Sequence, residues 1–173
     1  MPAPVLETER LILRAHAPSD FPAYAAMWAD PDVTRFIGDA PLSEEESWGK
    51  LLRTLGMWVA MDFGFWSVVE KSSGLRIGET GFLEGKRDIS PSLKGIPEVG
   101  WAFVPAAHGK GFATEAVRAA LAWGDRRFGG ARMACIIAPE NTASRRVAEK
   151  TGFREAHRTV YKGADTIMLF RDP

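Results

Sequence analysis

The stretch "AAHGKGFATEA", residues 106–116, places His108, Gly109, Lys110 and Gly111 directly ahead of a helical pattern. Small residues at a helix start let backbone N–H groups point inward, where the helix dipole favours negative charge, so such a turn can hold an anionic group. Two sharper phosphate templates fail. A P-loop needs four residues between its first glycine and Gly-Lys-Ser/Thr, and the chain has no such run. A dinucleotide fingerprint, Gly-x-Gly-x-x-Gly, breaks at Thr114, and no acidic residue stands in a suitable second strand. From the turn alone, an anion site and a plain strand-to-helix connection both stay open. The single cysteine, Cys135, can form neither an internal disulfide nor a thiolate zinc site, and in "MACIIA" it reads as a small buried hydrophobe. No metal site is expected. His16 and His157 flank strand ends and read as surface residues.

The elements that must position these residues follow from periodicity. "RLILRAH" alternates like a strand. "APSDFPAYAAMWAD" offers Ser19 or Asp20 as N-cap of an Ala-rich helix that stops at Asp30-Pro31. A second helix starts at Ser43, carries Glu44, Glu45 and Glu46 in its first turn, and runs to about Leu55. "FGFWSVVEK", "LRIGETGFLEG" and "IPEVGWAFV" read as three strands. The next helix spans about Gly111 to Arg127, with Ala113, Ala116, Val117, Ala120 and Leu121 on one face. "RMACIIA" is a buried strand, and "NTASRRVAEKTGF" is a helix capped by Asn141 and stopped by Gly152. Two strands around Lys162-Gly163-Ala164 close the chain. The order β-α-α-β-β-β-α-β-α-β-β predicts a single α/β domain over residues 1–173.

Bulk properties bound what the domain does. With 22 basic and 22 acidic residues among 173, the chain has no formal net charge, which argues against nucleic acid or an anionic membrane as its main partner. The N-terminus lacks the basic and apolar regions of a signal peptide, and no apolar run approaches the roughly 20 residues that span a bilayer. A cytoplasmic protein is expected.

"VPAAHGKGFATEAVRAAL" followed by "IIAPENTASRRVAEKTGF" resembles the GNAT superfamily of acyl-CoA-dependent N-acetyltransferases. That superfamily carries Arg/Gln-x-x-Gly-x-Gly/Ala between a strand and a helix, then Asn-x-x-Ser/Ala and Gly-Phe further on. The matching residues are His108, Gly111 and Ala113, then Asn141, Ser144, Gly152 and Phe153. The element order is also that of the superfamily, so the resemblance covers nearly the whole chain. "TERLILRA" and "GKGFATEA" look most like the branch of ribosomal-protein N-terminal amine acetyltransferases. The implied fold is a mixed, mostly antiparallel sheet of about seven strands flanked by about four helices. One departure is His108, where Arg or Gln is usual.

The resemblance implies transfer of an acetyl group from acetyl-CoA, as cosubstrate, to an amine. That reaction needs a grip on CoA, a donor to the developing oxyanion, a route for the amine's proton and an acid for the leaving sulfur. The grip falls to the backbone of His108, Gly109, Lys110, Gly111, Phe112, Ala113 and Thr114, with Phe103 and Val104 pairing with the pantetheine arm. The strand around Trp101 and Ala102 is implied to offer an N–H to the thioester oxygen. Asn141 contacts CoA or serves only as an N-cap. The tyrosine that many members use as acid falls at Ala148, and Ser144 is the implied substitute, its other reading being a helix-start residue. For the proton the resemblance points to Glu98, with a solvated edge carboxylate as the rival reading, and less strongly to Glu79. Trp28, Trp48 and Trp58 lie on or near the early helices that wall the acceptor groove in this fold, although core packing is the commoner use of Trp.

An α-amine with pKa near ~7.8 is about one-tenth neutral at pH 7, whereas a lysine near ~10.4 is neutral about once in a few thousand. The expected acceptor is therefore a protein N-terminus or a small primary amine. A homodimer is compatible with this reading. The alternatives are a catalytically silent acyl-CoA-binding sensor or interaction module, motivated by Ala148 and His108, and a nucleotide-binding module built on the same turn.

Overall fold

Asp30 shows how local chemistry sets the element boundaries. Its carboxylate accepts a hydrogen bond from the Asp32 amide at 2.8 Å. One Asp-Pro pair thus ends helix α1 (Phe21–Trp28) and opens the short helix α2 (Pro31–Thr34). Ser43 and Glu46 form a reciprocal capping box at the start of α3 (Glu44–Met61). Helix α3 passes through Gly56 and outruns the expected end near Leu55, because Leu51, Thr54 and Trp58 continue its buried stripe. The computed structural model describes residues 3–38 and 40–172.

The remaining elements are strands β1 (Leu6–Glu7), β2 (Leu11–Arg14), β3 (Phe65–Glu70), β4 (Arg76–Leu83) and β5 (Glu98–Phe103), helix α4 (Phe112–Arg127), β6 (Met133–Ile137), α5 (Thr142–Lys150), β7 (Arg154–Tyr161) and β8 (Ala164–Arg171). The sheet order is β1-β2-β3-β4-β5-β6-β8-β7. The expected α/β class and mixed sheet hold, with one more strand and one more helix than the sequence suggests. The additions, β1 and α2, span two and four residues, too few to show a period.

The chain divides into two compact units, Met1–Gly81 with Trp101–Ala120, and Phe82–Gly100 with Leu121–Pro173. In the first, β1, β2, β3 and β4 pair antiparallel in sequence order. Arg14 lies opposite Ser67, and Ser67 opposite Glu79, so these three polar residues form a row on one face of the sheet. Helices α1, α2 and α3 pack Tyr24, Met27, Trp28, Val33 and Leu51 into a core with Ala102. In the second unit, β6, β8 and β7 pair antiparallel, and β5 joins β6 in parallel with Glu98 opposite Ala134. Its core holds Ile89, Leu93, Ala134 and Met168, beside an aromatic group of Phe82, Trp123 and Phe128. Helix α5 ends as a Schellman motif, with the Phe153 amide on the Ala148 carbonyl and the Gly152 amide on that of Glu149.

Candidate functional site

The turn ahead of α4 is open where a ligand would need it. After a 3-10 turn at Pro105–Ala107, His108 is extended, and Gly109 and Gly111 sit at φ +73° and +80°, a region that favours glycine. Among the described residues, the N–H groups of Gly109 to Thr114 find no backbone acceptor, and the ladder of α4 begins with the Glu115 amide on the Gly111 carbonyl. A Cβ added at Gly109 would meet nothing within 4 Å. Successive amides left open at a helix start form an anion-binding concavity.

Residues far away in sequence brace this turn. Glu115, in the first turn of α4, accepts from the Thr8 hydroxyl at 2.6 Å, the Arg10 amide at 2.9 Å and Arg10 Nε at 2.7 Å. Arg10 Nη1 donates to the Lys110 carbonyl at 2.9 Å, and its guanidinium lies 4.5 Å from the centre of the Phe112 ring. His108 Nε2 donates to the Phe103 carbonyl at 3.0 Å; since a carbonyl only accepts, the proton is on Nε2. The residue that replaces the usual Arg or Gln therefore ties the turn to the strand before it. Val104 has both backbone groups engaged, its N–H on the Ile77 carbonyl and its own carbonyl accepting from Ala107, so the expected pairing with a ligand narrows to Phe103.

In the second unit, Asn141 caps α5, its Oδ1 accepting from the Ser144 amide at 3.1 Å. The Ser144 side chain is half-buried and makes no hydrogen bond among the described residues. Ala148 is fully buried, and burial pushes the Cys135 thiol far above its ordinary range, which makes it inert as a nucleophile. Glu98 is buried rather than a solvated edge residue. Arg87 holds it with two bonds of 2.6 Å and donates to Tyr161 Oη at 3.2 Å. The loop that carries Arg87 covers the carboxylate and supplies its counter-charge.

Glu79 stands in the first unit in a different setting. It is buried beside Arg76, with Nη2 at 3.4 Å, and His16, with Nε2 at 3.5 Å. Burial raises the Glu79 pKa despite the nearby cations Lys50, Arg76 and Arg53. His16 is only 5% exposed, which corrects the expectation of a surface histidine, while His157 is exposed as expected. Burial, aided by Arg76, lowers the His16 pKa to about 3, so its imidazole is neutral.

The sequence profile of the acetyltransferase (GNAT) domain matches residues 10–154. This chain belongs to the GNAT acetyltransferase family. A solved structure from Bordetella pertussis, assigned to the GNAT family as an acetyltransferase, is 34% identical, with 98% of this chain and 99% of that chain covered at a TM-score of 0.85. The uncharacterized N-acetyltransferase YoaA of Bacillus subtilis (strain 168) is 28% identical over 88% of this chain and 84% of its own length. A ribosomal L7/L12 α-N-protein acetyltransferase solved with coenzyme A shares the fold at 17% identity, 98% coverage of each chain and a TM-score of 0.78.

As a GNAT protein the chain is an N-acetyltransferase, and its candidate residues fall into two groups. His108 to Thr114, Phe103 and Glu79 all lie in the first unit; Glu98, Asn141 and Ser144 lie in the second. Sequence reasoning missed Thr8, Arg10 and Glu115, the braces of the GNAT turn, and also His16, Arg76 and Lys50 around Glu79. The one available signal was Glu115 in the first turn of a helix, a position that suits a carboxylate with or without a partner. Among the described residues no group of His, Cys, Asp or Glu could hold a metal ion, and no helix is long and apolar enough to cross a membrane.

Proposed function

We propose that the chain transfers an acetyl group from acetyl-CoA to a primary amine, either a protein N-terminal α-amine or a small molecule. The observation that carries this is the run of six open amides, Gly109 to Thr114, at the start of α4 in a chain of this family. Those amides suit a pyrophosphate, Gly109 leaves the approach clear, and Phe103, at the end of β5, is the proposed continuation of the grip. When bound, acetyl-CoA supplies the activated acetyl thioester. The Trp101–Ala102 backbone is the proposed donor to the developing oxyanion, and Asn141 offers its NH2 group, its Oδ1 being engaged in the cap.

For the amine's proton, Glu79 suits the task better than Glu98. A carboxylate whose pKa is raised by burial accepts a proton more readily than an ordinary one, whereas Glu98 has both oxygens on the Arg87 fork. Ser144 is the proposed proton donor to the departing sulfur; a thiol pKa near ~8.5 asks little of it. The resemblance to the ribosomal-protein branch supports a protein N-terminus; of the tryptophans on or near the early helices, Trp28 and Trp58 are buried in the core and Trp48 is exposed, so core packing accounts for two of the three.

Incubation with acetyl-CoA and a panel of amines and N-terminal peptides, following released thiol, tests the reading. Turnover on at least one amine is expected. Tight CoA binding without turnover on any would instead indicate a silent binding module. Gly111→Trp should abolish CoA binding by filling the space at the turn, and unchanged affinity would remove the turn from the site.

A further inference from the structure

Around Glu79 the first unit holds a concentration of buried polar groups that lack a well-formed hydrogen bond. Tyr24 Oη, Trp28 Nε1, Arg76 Nε and both ring nitrogens of His16 are buried without a well-formed hydrogen bond, the approaches of Tyr24 to Thr54 and Trp28 and of His16 Nε2 to Glu79 (3.5 Å) falling short of bonding geometry. They are contiguous. The His16 and Tyr24 rings meet edge-on at 5.6 Å, Arg76 lies 4.9 Å from the centre of the Tyr24 ring, and Tyr24 and Trp28 are 6.4 Å apart. Lys50 Nζ completes the group, 4.1 Å from the centre of the Trp28 ring. Native interiors leave few buried polar groups unsatisfied, because each costs about 1–3 kcal/mol. Several in one place mark a site whose partner is something other than the chain.

The chemistry of that partner follows from what is missing. Trp28 Nε1, Arg76 Nε and Lys50 Nζ can only donate, and Tyr24 can donate. The charges lean the same way. Lys50, Arg76 and Arg53 are three cations near one carboxylate, Glu79, which leaves two positive charges over, while Arg14 and Asp20 neutralise each other with bonds of 2.7 and 2.8 Å. No carboxylate lies within ion-pairing distance of Lys50 among the described residues. A buried site with excess donors and excess positive charge calls for an anionic acceptor group. Lys50 is half-buried, whereas the Tyr24 and Arg76 side chains are almost fully buried.

We infer that this cluster recognises a carboxylate on the acceptor substrate, so that the preferred amine also carries a carboxylate, as an α-amino acid does. This rests on the transferase reading and narrows its acceptor. The carboxylate would meet Lys50 Nζ and Trp28 Nε1, while Glu79 is available for the ammonium.

The test compares free α-amino acids, one by one, with their own carboxamides and decarboxylated amines. Binding is measured by calorimetry on the CoA-loaded protein, and acetyl transfer by thiol release. At least one acid should bind or react ~30-fold better than its amide, a factor suited to hydrogen bonds with charged groups. Lys50→Met should erase that ratio without changing CoA affinity, and Lys50→Arg should retain it; melting curves verify that both variants fold. The inference is overturned if every acid and its amide agree within threefold, if no acid binds at millimolar concentration, or if the preference survives in Lys50→Met. A dipeptide that outperforms its free amino acid would place the carboxylate on a peptide. Loss of CoA binding and of all turnover in wild-type protein would count against the transferase reading itself, and calorimetry of the same acids and amides on the CoA-free protein would still report on the carboxylate.

Discussion

Glu98 and Glu79 are both buried carboxylates on strands of the same sheet, and their surroundings have opposite designs. Glu98 is matched one to one: a single guanidinium meets both oxygens, and Tyr161 takes up another donor of the same fork. Glu79 is under-matched. Its contacts are long, its cations outnumber it, and the atoms around it lack partners. A closed, saturated pair stabilises a fold and resists change in charge, whereas an open cluster retains capacity for a proton or a ligand. The contrast teaches that burial of a carboxylate is not what marks it for chemistry; incomplete pairing is.

That contrast breaks most sharply by mutation. Glu79→Gln should lower turnover by ~10²- to 10⁴-fold, the usual contribution of a positioned acid or base, with CoA affinity and melting temperature nearly unchanged. A larger turnover loss in Glu98→Gln than in Glu79→Gln, at equal stability, would reverse the assignment. Arg87→Met should act mainly on stability, by about 3–5 kcal/mol in denaturant unfolding, because it leaves Glu98 buried without its counter-charge. A loss under 1 kcal/mol would show that the pair is less closed than its geometry.

The pH dependence of stability sharpens the comparison further. His16 has a folded pKa of about 3 against an ordinary value near ~6.5, so the unfolded chain binds the extra proton between those values. Stability therefore falls as pH drops below ~6.5, at up to about 1.4 kcal/mol per pH unit, and this loss levels off below about 3. His16→Gln should flatten that slope in unfolding titrations from pH 6.5 to 4; an unchanged slope would mean that another group carries it. The smallest effect is expected at Ser144→Ala, with turnover reduced less than ~10-fold and CoA affinity intact, since the thiol it assists leaves readily. Equal losses in turnover and affinity would make Ser144 a contact to CoA.

Much of the frame was legible before any coordinates. Ser43 with Glu46, Asn141 and Gly152 mark helix ends by local hydrogen bonding, and the two strands about Lys162-Gly163 follow from a turn and alternation. The glycine turn was legible for the same reason, since its conformation is written in residues adjacent to one another. What stayed hidden depends on partners distant in the chain. His16 looks like a strand-end histidine until α1 lays Tyr24 against it. Glu98 looks solvated until a loop eleven residues away delivers Arg87. His108 looks like a departure from the family pattern until its ring is seen to reach back to Phe103.

The brace formed by Thr8, Arg10 and Glu115 means that the stretch leading into β2 is tied to a loop about a hundred positions downstream. Replacing Thr8 and Arg10 together by alanine should slacken the loop and weaken its hold on CoA even though the loop's own sequence is unaltered.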